Sequence, residues 1–196
     1  MIMMKLKFSD EDENYLVCPC SEVPTQGVTI NWSKVVPLNV RCFIWRALFR
    51  RIPVNTNLRS RGISVQSELC SLCEGEKETV DHLFVKCKVA EEVHDWIFKW
   101  CGTTTRRFQN IEEFLDFGAT WGNCPKKKEI INLIFYCTIW YIWKARNNKV
   151  FNKVKISSVK IADDIISQSF EWYKYRSSKT CNKWIDWSIS PFNSCS

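Results

Sequence analysis

The sequence predicts a mostly α-helical fold: a helical hairpin, then a small loop and helix bearing Cys70, Cys73, His82 and Cys87, then a helical carboxyl-terminal lobe. Three observations predict it. Apolar residues recur at the i, i+3, i+4, i+7 spacing of an amphipathic helix in several separate segments. Residues suited to starting or stopping helices stand beside those segments: Pro37, Thr79, Gly62 and Gly102. Apolar residues make up 45% of the chain, enough to bury a core, so disorder throughout is excluded.

Residues 1–30 mix charge with Pro19, Pro24 and Gly27 and keep no period, so they are expected to form a loosely ordered lead-in. Order is expected from about Trp32. Val40, Phe43, Ile44, Ala47 and Leu48 mark a first helix that Pro37 opens and Pro53 ends. Asn55 or Thr56 can cap a short second helix through Leu58, with Gly62 as its left-handed stop. Arginines should occupy the wet side of this hairpin. Thr79 can cap a third helix by accepting the N–H of Asp81 or His82. Beyond Cys87, Ala90, Val93, Ile97 and Trp100 face inward, Glu91, Glu92 and Asp95 face outward, and Gly102 closes the segment.

A linker at 101–110 separates residues 31–101 from a helical carboxyl-terminal region, 111–196. Helices are expected there at Ile111–Phe117, about Pro125–Lys149 and Ser157–Tyr175, the last with Val159, Ile166, Phe170 and Tyr173 as its apolar stripe. The longest apolar run, Ile130–Trp143, is interrupted by Asn132 and Thr138 and falls short of the roughly 20 residues of a membrane span, so it reads as a buried helix. Trp184, Trp187 and Phe192 are expected to dock on the chain's own core in preference to stacking nucleic-acid bases.

Eleven cysteines, odd in number and scattered, do not form a secreted disulfide framework, and no apolar signal region precedes the acidic run Asp10–Glu13. The expectation is an intracellular protein of the nucleus or cytoplasm, with reduced thiols. Four of its potential ligands crowd together. Cys70 and Cys73, two residues apart, form a knuckle whose backbone N–H groups turn toward the thiolates, and His82 and Cys87 can converge on the same point from a helical turn. Three thiolates and an imidazole close a tetrahedron around one structural zinc ion, leaving no open position for an activated water. Buried cysteines beside a surface histidine are the plainer alternative. Cys18 and Cys20 lack a partner histidine and are expected to be unligated. His94, two turns beyond Cys87, is a minor competitor for the metal.

Charge is unevenly placed: residues 34–67 hold seven basic and no acidic residues, while residues 68–95 hold eight acidic and three basic. A polyanion would therefore meet the flank of the cysteine segment, at Arg41, Arg46, Arg50, Arg51, Arg59 and Arg61, through salt-sensitive phosphate contacts. A solvated basic face that binds nothing is the alternative. Ile161–Ala162–Asp163–Asp164 looks like a polymerase aspartate pair but lies on a helical stripe, and no phosphate loop, nucleophile elbow or HExxH motif is present. No enzyme is expected.

In combination, Val36–Pro37, Val40–Arg46, Arg51–Pro53, Leu58, Arg61–Gly62, then Cys70, Cys73, Glu78, Asp81–Phe84, Cys87 and Ala90, resemble the reverse transcriptase zinc-binding domain of plant LINE-type (non-LTR) retroelements. The resemblance covers Trp32–Trp100, about a third of the chain, and Trp143–Asn147 with Val150–Phe151 resembles the region that often follows it. It departs at Val54, where a capping Thr is usual, and at His94, where Trp is usual. It implies a non-catalytic accessory module of a retroelement, and the charge map adds the expectation that the module binds RNA or DNA. The alternatives are a protein-interaction module presenting Glu68, Glu74, Glu76, Glu78 and Asp81 to a reverse transcriptase polypeptide, and a degenerate retroelement fragment. Neither a membrane nor a small-molecule substrate is implied.

Overall fold

Ten consecutive buried residues, Ile130 to Ile139, make one helix the centre of the molecule. A helix apolar on every side has no wet face and must be surrounded, as this one is. In the computed structural model, which describes residues 33–121, 124–177 and 183–192, it runs Pro125–Asn152 and is α5. Before it come α1 (Leu38–Leu48), α2 (Asn55–Ser60), a π-helical turn (His82–Lys86), α3 (Lys88–Trp100) and α4 (Ile111–Thr120). After it come α6 (Ser158–Arg176) and α7 (Trp184–Ile189). Among the described residues there is no strand, only an isolated antiparallel bridge between Leu69 and Lys77. The fold is mostly helical, as the periodicity predicts. The lead-in 1–30, with Cys18 and Cys20, lies outside the described residues, as does Trp32.

Helices α1, α4, α6 and the π turn all pack against α5, and α3 packs on α6. The buried apolar side chains on both sides of the 101–110 linker form one cluster from Val35 to Trp187. The linker itself is held to α3: Phe108 is buried, and Arg107 donates to Asp95 at 2.7 and 3.1 Å. Close approach of α4 to α5 depends on Gly118, where an added Cβ would lie 3.1 Å from both Asn132 Oδ1 and the Phe135 ring. There Phe114 and Phe135 stack with centroids 4.2 Å apart.

Two boundaries and one buried stripe differ from expectation. Helix α1 ends at Leu48 rather than at Pro53, because Arg50 takes a left-handed conformation (φ 55°) and turns the chain early. Asn57 Nδ2 fixes this turn by donating to the carbonyls of Arg50 (2.6 Å) and Ile52 (2.9 Å). Asn55 is the first residue of α2 and not its cap; its N–H is bound instead by the Glu78 carboxylate, 3.0 Å away. On α6 the buried stripe is Ile161, Ala162, Ile165, Ser169 and Tyr173, and Val159 is 47% exposed. That helix is clasped by α3, α5 and α7 together, so its inward face is wider than one stripe and centred elsewhere.

The tail docks as the sequence suggests. Trp187 is fully buried against Tyr173 and Trp100 and donates from Nε1 to the Ile166 carbonyl (3.1 Å). Phe192 stacks on Trp121, while Trp184 stays half-exposed beside Phe170.

Candidate metal centre

The loop from Glu68 to Thr79 turns back on itself by backbone pairing. Cys70 N–H donates to the Glu76 carbonyl (2.7 Å), Glu74 N–H to the Cys70 carbonyl (2.8 Å), and Glu78 N–H to the Glu68 carbonyl (2.8 Å). Glu74 takes a left-handed conformation (φ 59°) to close the knuckle. Thr79 is the predicted cap: its Oγ1 accepts the His82 N–H at 3.0 Å. From there the chain does not wind as an ordinary α-helix. Residues five apart on an α-helix point about 140° away from each other, which would separate His82 from Cys87. The π turn closes an i to i+5 bond instead, Cys87 N–H to His82 carbonyl at 2.6 Å, and brings both side chains to one side.

One donor atom from each of Cys70, Cys73, His82 and Cys87 lies within 4.8 Å of all the others. Cys70 Sγ is 3.8 Å from Cys87 Sγ, and Cys73 Sγ is 3.2 Å from His82 Nε2. Tetrahedral zinc with its usual bond lengths has donor-to-donor edges of about 3.5–3.8 Å, so the four atoms can share one ion with little movement. Cys70, Cys87 and His82 are buried and Cys73 is half-buried. The donor set is soft, which favours zinc over magnesium or calcium.

The surroundings favour thiolate at one edge of the cluster. Cys87 is held below the ordinary thiol range by the hydrogen bond from Cys70, against the effect of burial and with help from the N–H groups of Ala90 and Val89 at the start of α3. Cys70, as donor in that bond and buried, is pushed up, although the N–H groups of Cys73 and Leu72 in the knuckle pull the other way. The Glu76 carboxylate stands 3.3 Å from His82 Nδ1, outside hydrogen-bond geometry but placed as the acceptor that a metal-bound imidazole usually takes.

Glu78 overturns part of the expected acidic docking surface. It is wholly buried and paired with Arg146 of α5, which is 3% exposed, at 2.7 Å. Burial raises its carboxyl, but the Arg146 guanidinium, followed by the N–H groups of Ser71 and Asn55, brings it below the usual range. Three other acids of this surface are engaged, Glu68 with Arg59 and Lys77, Glu74 with Lys149, and Asp81 with Arg50, while Glu76 is exposed beside His82. No sequence signal pointed to the Glu78–Arg146 pair, since 68 residues separate its members.

The six arginines divide. Arg50 is clamped between Asp81 (3.0 Å) and Glu112 (2.6 Å), and Arg59 pairs with Glu68; Arg41 is half-buried. Arg46, Arg51 and Arg61 are exposed, and Arg51 ties them together by donating its N–H to the Arg46 carbonyl (2.7 Å) and accepting Arg61 Nη2 (3.5 Å). His94 is no ligand: it is 2% exposed and stacked on Phe114 (4.7 Å), and burial drives it down to about 4. Asp163 is exposed on α6 and Asp164 pairs with Lys160 (2.7 Å), so the polymerase-like pair lies on an ordinary helix surface.

A helical fold with a closed three-cysteine, one-histidine cluster defines a zinc-binding module, and one zinc ion is the cofactor it takes. Residues 13–94 match the family described as zinc-binding in reverse transcriptase, an accessory zinc-binding segment and not a catalytic one. That range takes in Cys70, Cys73, His82 and Cys87 and ends inside α3. No curated protein and no solved structure matches the chain. No helix among the described residues is long and apolar enough to cross a membrane.

Proposed function

We propose that this chain is a non-catalytic accessory module of plant non-LTR retroelement descent that binds RNA or DNA through arginine–phosphate contacts, with Cys70, Cys73, His82 and Cys87 holding its structural zinc. The module is residues 31–101, buttressed by the helical region 111–196, and it works inside the cell, in nucleus or cytoplasm. The observation that carries the reading is the trio Arg46, Arg51 and Arg61, exposed, adjacent and paired with no carboxylate among the described residues. Docking of the acidic loop on a reverse transcriptase polypeptide is the weaker reading: of its five acids, Glu68, Glu74 and Asp81 already have cationic partners and Glu78 is buried, leaving Glu76 exposed.

Binding of a short fluorescent single-stranded RNA tests it. Three phosphate contacts predict roughly a twentyfold loss of affinity between 50 and 200 mM salt. Replacing all three arginines with Ala should flatten that dependence, and zinc content should fall from one per chain in the parent to well below one in Cys73→Ser. An RNA affinity that does not change with salt would refute the phosphate contacts, and unchanged zinc in Cys73→Ser would refute the ligand set.

A further inference from the structure

We propose that Glu78 and Arg146 are positioning residues of the zinc site, so that the functional unit extends past the matched segment 13–94 to include α5. The Glu78 carboxylate stands between the knuckle and two helices. Oε2 accepts the N–H of Ser71, the first residue between Cys70 and Cys73, at 2.9 Å. Oε1 accepts the N–H of Asn55 at the start of α2 (3.0 Å) and, from α5, Arg146 Nε (3.1 Å) and Nη2 (2.7 Å). Arg146 Nη2 also reaches Asn55 Oδ1 at 3.0 Å, and its guanidinium lies over Trp143 at 5.1 Å.

Within the knuckle, Cys70 and Leu72 are buried in the core and Cys73 packs against it, while Ser71 between them is held through its backbone. The Ser71 N–H is aimed by a carboxylate whose own orientation is set by a guanidinium on the most buried helix of the fold. A metal site pre-shaped in this way binds without having to order its ligands first, and losing such outer partners typically weakens metal binding 10- to 100-fold. A pair that merely braced the fold would lower stability and leave the affinity of the folded chain unchanged. The inference rests on the ligand set given above.

The test is competition for zinc between the full-length chain and a chromophoric chelator, for the parent, Glu78→Gln, Arg146→Gln, their double variant, Arg146→Lys and Ile165→Val. Glu78→Gln keeps the shape and most of the hydrogen bonds, so it stays informative if Arg146→Gln fails to fold. Expected is a 10- to 100-fold loss in each single variant, no further loss in the double, partial recovery in Arg146→Lys, and no change in Ile165→Val, which trims one buried side chain of α6. Folded Glu78→Gln with affinity within twofold of the parent, or an equal loss in Ile165→Val, would overturn it. A parent chain that takes up no zinc would instead refute the ligand set.

Discussion

The loop Glu68–Thr79 and the helix pair α5–α6 hold their shape by opposite means. Between Glu68 and Thr79 only Cys70 and Leu72 contribute buried apolar side chains, and the backbone is tied by hydrogen bonds, the Glu78 carboxylate and two of the four donors that can share one ion. From Ile130 to Ile139 every α5 side chain is buried, and α6 adds Ile161, Ala162 and Ile165. Apolar burial is distributed and tolerates small losses; metal and hydrogen-bond restraint is concentrated in a few atoms. Robustness and sensitivity are therefore separated along the chain.

Removing zinc should give the largest effect and the sharpest contrast. Structural zinc with such ligands supplies on the order of 10 kcal/mol to folding. After chelation, amides of residues 69–77 are expected to lose far more protection than those of Ile130–Ile142, with the Ser71 amide, held by Glu78, losing least within the loop. Equal loss in both regions would break the comparison.

Acid should act between these extremes, on the packing of α3 against α4, where His94 stacks on Phe114. Its folded pKa of about 4 lies below the ordinary value of 6.5, so between them the unfolded chain binds a proton that the folded chain refuses. The stabilisation is complete above pH 6.5, declines as pH falls from 6.5 to 4, and amounts to at most about 3 kcal/mol. Denaturant titrations of the parent and His94→Phe should diverge across that window, with the variant the less pH-dependent. Parallel curves would remove His94 from the account.

The smallest effect is expected at α4, which joins the regions through its first turn. Asn110 Oδ1 accepts the Glu113 N–H at 2.8 Å, and Asp81, next to His82, accepts the Ile111 N–H at 3.1 Å. Asn110→Ala should cost about 1 kcal/mol, read as a fall of a few degrees in melting temperature with zinc content unchanged. Loss of zinc in that variant would mean the two regions are less separate than their packing indicates.

Local chemistry was legible in the sequence and distant pairing was not. The spacing of Cys70, Cys73, His82 and Cys87, the Thr79 cap, the Pro125 start of α5 and the inward Trp187 all follow from residues close in sequence or from simple apolar demand. The π turn between His82 and Cys87 has no propensity signature; it is set by which side the two ligands must share. Arg50 shows the limit on charge maps, because a cation counted toward a phosphate-binding face is held by Asp81 and by Glu112, 62 residues away. On α6 the periodicity was real, but three neighbouring helices moved its buried centre from Val159 to Ile161 and Ile165.

The position of Trp187 has a consequence for how the bundle is sealed. Its indole fills the space between Trp100, Phe170 and Tyr173, its Nε1 binds the Ile166 carbonyl, and its own carbonyl accepts the Trp100 Nε1 at 2.9 Å. The short last helix thus acts as a stopper: trimmed away, it would leave an aromatic-walled notch and a Trp100 indole donor opened to water, at the far end of α3 from Cys87.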